Sequence, residues 1–133
     1  GTFTCLIAPY VKKIIGIEES VSAVNDAKEN SKKFQNIDYL LGKTEDVLLQ
    51  IERKIDVLLL DPPRIGCDDE VIKIIERINP KKIILISCSP ENFAIDIAKL
   101  TKISYEVSEI TPFDMFPQTH HVEILGLLEF NNE

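Results

Sequence analysis

Two spacings of apolar residues take turns along this chain. Short β-branched runs recur at residues 13–18 (KIIGIE), 37–41 (IDYLL), 55–60 (IDVLLL) and 81–87 (KKIILIS). Between them lie stretches whose apolar residues return at helical intervals. That alternation predicts an α/β fold, a parallel sheet flanked by helices. Ser20 reads as the N-cap of a helix to about Phe34, with Val21, Val24 and Ala27 on one face. Thr44 reads as the cap of a short helix to about Glu52, with Glu45 and Asp46 at its positive end. The nearly continuous apolar run 55–60 fits a central strand buried on both faces, stopped by Pro62 and Pro63, which cannot extend a ladder. Helices over about 68–78 and 90–100 follow, the first closed by Asn79-Pro80 and the second opened by Pro90. Residues 103–110 and 122–130 are expected as the last two strands. No repeat, linker or domain boundary stands out, so residues 1–133 read as one domain. The chain opens on Gly1-Thr2-Phe3-Thr4 and an apolar helix-like stretch to about Val11. A βαβ sheet normally opens with a strand and a glycine-rich turn. The expectation is a sheet lacking its first strand, in the C-terminal part of a longer protein.

Composition narrows the function classes. Hydrophobic residues at 44% and charged residues at 28% exclude a disordered or low-complexity chain. The longest apolar runs are strand-sized, which argues against a membrane span. A net charge of −7 makes these residues a poor stand-alone nucleic-acid binder, because phosphate contacts dominate that affinity. If the protein acts on a polyanion, something else must supply most of the grip. Cys5, Cys67 and Cys88 form no CxxC and cannot all pair, which points to a reduced, cytoplasmic compartment.

In open α/β sheets, ligands gather at the carboxyl ends of strands, and four such places carry candidate chemistry. Glu18 closes the first run, where a carboxylate suits the ribose hydroxyls of an adenosine-containing cofactor; the alternative is an exposed acid beside Glu19. Gly1 and Thr2 fit the tail of a glycine turn whose backbone approaches a ligand. Asp61-Pro62-Pro63-Arg64 is either a plain strand terminator or a stiffened turn holding Asp61 and the planar Arg64 guanidinium. Cys88, in Ser87-Cys88-Ser89-Pro90, lies between a buried strand and a helix N-terminus; it is either a thiolate nucleophile or a structural cysteine. Cys5 and Cys67 suit the structural role. Glu123 ends a polar segment, 114–123, and is a candidate base. His120 and His121 invite a metal reading, but neighbours on an extended chain face opposite ways and no third ligand lies at metal spacing.

Taken in order, Gly1-Thr2-Phe3-Thr4, Gly16-Ile17-Glu18, Asp61-Pro62-Pro63-Arg64-Ile65-Gly66, Ser87-Cys88-Ser89-Pro90 and the run from Asp114 to Glu123 (DMFPQTHHVE) resemble the RNA 5-methyluridine methyltransferases. The resemblance runs from the first residue almost to the last, and its ordered set is specific where each motif alone is weak. It implies a Rossmann-like, class I S-adenosylmethionine-dependent methyltransferase fold, mostly parallel with an antiparallel C-terminal strand. It implies methyl transfer from S-adenosylmethionine to carbon 5 of uridine in tRNA or ribosomal RNA. By the same resemblance Cys88 is the nucleophile and Glu123 the base. Thr2, Glu18, Lys43 and Asp61 line the cofactor pocket, and Arg64 contacts the uracil or a nearby phosphate. RNA-binding domains are expected upstream. Ser89 departs from the asparagine usual after the catalytic cysteine, a change expected to tune rather than abolish function.

Other enzymes fit less well. In DNA cytosine-5 methyltransferases the cysteine follows the proline-rich strand end, a place held here by Asp61-Pro62-Pro63-Arg64. An amino-group methyltransferase would carry an aromatic where Arg64 stands. The alternatives left are a non-catalytic binding module on the same fold and a small-molecule methyltransferase, which has no need of Cys88 or Glu123.

Overall fold

The structure, a computed structural model, describes residues 1–131. It divides into two compact units, Gly1–Glu52 and Arg53–Glu133; nothing in the composition marks the join.

In the first unit, helix α1 (Thr2–Ile7) runs into a 3-10 turn (Ala8–Tyr10), and strand β1 (Ile14–Glu18) leads into helix α2 (Val21–Asn30). Strand β2 (Ile37–Leu41) and helix α3 (Thr44–Val47), with a 3-10 turn over Leu48–Gln50, complete it. β1 and β2 are parallel, in register from Ile14 opposite Ile37 to Glu18 opposite Leu41. Ser20 caps α2 as the sequence predicts, its hydroxyl accepting from the Ala23 N–H at 3.4 Å. The helix stops at Asn30, short of Phe34. The Ser31 hydroxyl donates back to the Lys28 carbonyl, and the Phe34 N–H closes a turn on Ser31 O at 2.8 Å. The Ser31 side chain thus competes for a backbone partner, and the last expected turn is lost there. Thr44 is not a cap but the first helical residue; Lys43 occupies the cap position without a side-chain bond.

The second unit holds strands β3 (Val57–Leu60), β4 (Lys82–Ser87), β5 (Tyr105–Phe113) and β6 (Glu123–Phe130), with helices α4 (Asp69–Ile78) and α5 (Pro90–Lys102). Their order in the sheet is β3-β4-β6-β5. β3 and β4 are parallel, and β6 inserts antiparallel between β4 and β5, the expected antiparallel C-terminal strand. β3 therefore lies at the edge of its own four-stranded sheet, not at the centre, and Val57 is exposed. β5 extends past the expected end, through Pro112 to Phe113, because its partner β6 continues alongside to Glu123. One core joins the layers: Ile72 and Ile75 of α4, Ile83 and Leu85 of β4, Phe93 and Leu100 of α5, with Tyr105 and Leu128. Asp68 caps α4 and left-handed Asn79 (φ 48°) ends it before Pro80. Among the described residues no helix is long and apolar enough to cross a membrane.

Candidate active site

Register sets Cys88 and Glu123 at the same end of the sheet. Ser87, the last residue of β4, pairs with Ile124 of antiparallel β6. One step further, Cys88 leaves β4 where Glu123 enters β6, and Glu123 in turn pairs with Phe113 of β5. On the other side Leu60 pairs with Leu85, so Asp61 leaves β3 toward the same sheet edge. Cys88 and Glu123 are both half-buried.

The turn that presents Cys88 is held from both sides. Buried Ser87 donates its hydroxyl proton to Ser89 O and accepts the Ser89 N–H, each at 3.2 Å, so one side chain staples the backbone across Cys88. Ser89 caps α5, its Oγ accepting the Asn92 N–H at 3.4 Å, and Pro90 fills the first helical position. Serine and asparagine serve about equally well as caps, which is why the departure at Ser89 leaves this turn intact.

Asp61 stands at the strand end, where partial burial raises its carboxyl above the usual carboxylate range. Arg64 is exposed, and its Nη2 lies 3.2 Å from His121 Nδ1. A guanidinium only donates, so in this contact His121 Nδ1 is the acceptor. His120 and His121 do not face opposite ways as an extended chain would require. Their rings lie 4.2 Å apart, centroid to centroid, because the segment turns instead of extending. Thr119 organises that turn: its hydroxyl donates to Phe116 O at 2.7 Å and accepts the His121 N–H, beside left-handed Gln118 (φ 67°).

Cys67 has the structural role expected of it. It is buried, and burial together with the Asp96 carboxylate pushes its thiol up to about 12. Asp96, itself only 1% exposed, accepts the Cys67 N–H at 2.9 Å. Gly66 just before it has φ of +88°, and a Cβ there would lie 2.9 Å from the Asp96 carboxylate, so the position demands glycine. Sequence reasoning passed over Asp96 and Asn92. The signal for Asp96 was present: it sits three residues after Phe93 and four before Leu100, on the apolar stripe of α5, where an acid must find a partner.

The remaining three candidates belong to the first unit. Glu18 ends β1, its Oε1 accepting the Ser20 N–H at 2.9 Å. Register sets Glu18 opposite Leu41, and the Gly42 N–H donates to Glu18 O, so exposed Lys43 follows at the same strand end. Thr2 opens α1 and is exposed. Gly1 is explained by packing rather than by a ligand's approach: a Cβ there would come 2.7 Å from Ala27 Cβ of α2.

A family model described as tRNA (uracil-5-)-methyltransferase matches residues 42–130. An uncharacterised RNA methyltransferase of Caldanaerobacter subterraneus subsp. tengcongensis is 40% identical over 131 residues, covering 97% of this chain and 29% of its own. The crystal structure of Pyrococcus abyssi tRNA (uracil-54, C5)-methyltransferase in complex with S-adenosyl-L-homocysteine superposes with a TM-score of 0.85 at 30% identity. It covers 96% of this chain and 31% of that one. N-methyltransferase NodS of Bradyrhizobium japonicum, at 15% identity and a TM-score of 0.79 over 99% of this chain and 74% of its own, shares the fold alone. The chain thus has the class I methyltransferase α/β fold, and it spans under a third of the length of the RNA methyltransferases it matches.

Proposed function

The chain belongs to the tRNA (uracil-5-)-methyltransferase family, and from that premise we propose that the protein methylates carbon 5 of a uridine in RNA through a covalent adduct with Cys88. The observation that carries this reading is the β4–β6 register, which sets a thiol and a carboxylate at one sheet edge.

Carbon 5 of uracil is a weak nucleophile. The Cys88 thiolate adds to carbon 6, the carbon–carbon double bond opens, and its electrons pass to an enolate that is nucleophilic at carbon 5. When bound, S-adenosylmethionine would supply the methyl group to carbon 5, its sulfur–methyl bond breaking so that S-adenosylhomocysteine leaves. Glu123 then removes the proton left on carbon 5; the double bond re-forms as the carbon–sulfur bond breaks and the thiolate returns. The residues suit this cofactor. Glu18 uses one carboxylate oxygen on the Ser20 N–H, and a carboxylate with about four acceptor sites has capacity left for a ribose diol. We assign cofactor-binding roles to Thr2, Lys43 and Asp61 as well, and Arg64 to the uracil or a neighbouring phosphate, for which a guanidinium fork is suited. We take residues 1–133 as catalytic and give the main RNA grip to surfaces outside them, since a net charge of −7 disfavours polyanions. Three unpaired thiols favour the cytoplasm as its compartment.

The natural full-length protein, given S-adenosylmethionine and either tRNA or ribosomal RNA transcripts tritiated at carbon 5 of uridine, should release label into water. Cys88→Ala should lower that release by about 10⁴-fold or more. Glu123→Gln should stop release while a methylated protein–RNA adduct accumulates on a denaturing gel. Undiminished release from Cys88→Ala overturns the mechanism, and the RNA that supports release identifies the substrate.

A further inference from the structure

Helix α5 grips the loop that leaves β3. Asn92, Asp96 and Lys99, spaced by four and three residues, lie along one face of the helix. Each bonds that loop: Asn92 Nδ2 donates to Arg64 O at 2.7 Å, Asp96 accepts the Cys67 N–H at 2.9 Å, and Lys99 Nζ donates to Cys67 O at 3.1 Å. Asn92 also reaches a second element. The same Nδ2 donates to Ser89 Oγ at 3.2 Å, and its backbone N–H donates there at 3.4 Å. One half-buried carboxamide therefore ties the carbonyl of Arg64 to the residue that follows Cys88.

We propose that Asn92 is a positioning residue that sets Arg64 relative to the Cys88 thiol, a role that rests on the uridine reading above. The other two bonds of the stripe hold only the far end of the loop, at Cys67. Between Cys67 and Arg64 lie exposed Ile65 and left-handed Gly66, so without Asn92 the Arg64 end is held by the Gly66 N–H to Pro63 O turn and by the exposed guanidinium contact with His121, neither of which fastens its backbone to α5 or to the Cys88 turn. Arg64 then drifts relative to Cys88 while the core beneath stays packed. With Arg64 orienting the uracil, a ring misplaced by about 1 Å from the thiol costs on the order of 100-fold in rate, and the loss falls on the chemical step more than on RNA binding, whose main grip is assigned elsewhere.

The test uses the full-length protein with the tritiated tRNA and ribosomal RNA transcripts. Asn92→Asp keeps the shape but cannot donate to Arg64 O; Asn92→Gln keeps the donor on a longer arm. For Asn92→Asp, kcat of tritium release should fall about 10- to 100-fold. Its KM for RNA, S-adenosylmethionine binding and melting temperature should stay near wild type. Asn92→Gln should recover part of the rate. Wild-type kcat in Asn92→Asp overturns the proposal, and so does an equal loss in both variants, since the donated bond would then not matter. Absence of release from the wild-type protein condemns the uridine reading itself, an outcome separable from either of these.

Discussion

Two segments leave neighbouring parallel strands at the same sheet edge, and each carries a cysteine in a different setting. The loop after β3 turns Cys67 inward, under α5, where burial and the Asp96 carboxylate hold the thiol protonated. The turn after β4 leaves Cys88 half-buried, stapled by Ser87 and followed at once by a helix N-terminus. Residue type is the same in both, so reactivity here is decided by what surrounds the sulfur. The lesson extends to the acids: Asp96 is a buried clamp, while half-buried Glu123 opens β6 at the strand end where Cys88 leaves β4.

The sharpest way to break this comparison is alkylation. Iodoacetamide at neutral pH should modify Cys88 at least about 100-fold faster than Cys67, read by peptide mass mapping, because the thiolate is the attacking form. Equal labelling in the folded protein would dissolve the distinction. A smaller effect comes from the clamp: Asp96→Ala strands the buried Cys67 N–H and should cost about 2–4 kcal/mol in denaturant unfolding. Unchanged stability would mean that the loop holds Cys67 without α5. The smallest effect shows only in alkali. A thiol raised from 9 to about 12 on folding contributes stability that is present below pH 9 and lost as pH rises toward 12. Tyr105, raised to about 12 by burial, acts in the same direction over pH 10 to 12. Melting temperature should thus fall on that alkaline limb, and Cys67→Ala should flatten it.

Much of the second unit was legible in the chain. Buried strand β4, capped helix α4 and proline-opened helix α5 follow from apolar runs, Asp68, Asn79 and Pro90, all local signals. Cys88 and Glu123 were singled out for their places at strand ends. What misled was context. The run at β3 reads as a central strand because its residues are apolar, yet apolarity does not reveal which neighbours pair with it. The two histidines were judged by an extended-chain geometry that the Thr119 turn replaces. Asn92 gave no signal at all, since a polar residue in the first turn of a helix is ordinary until its partners are known.

The sequence by itself determined the alternation of strand and helix, the caps and proline stops, and a cysteine and a carboxylate at strand ends. Those are encoded within a few residues of one another, by propensity and periodicity. Only the tertiary structure decided that Cys88 and Glu123 share one end of the β4–β6 pair, that Asn92 joins Arg64 to the Cys88 turn, and that Cys67 is sealed beneath Asp96. These pairings join residues 28 to 35 positions apart, across strands whose register is chosen by the packing of the whole sheet.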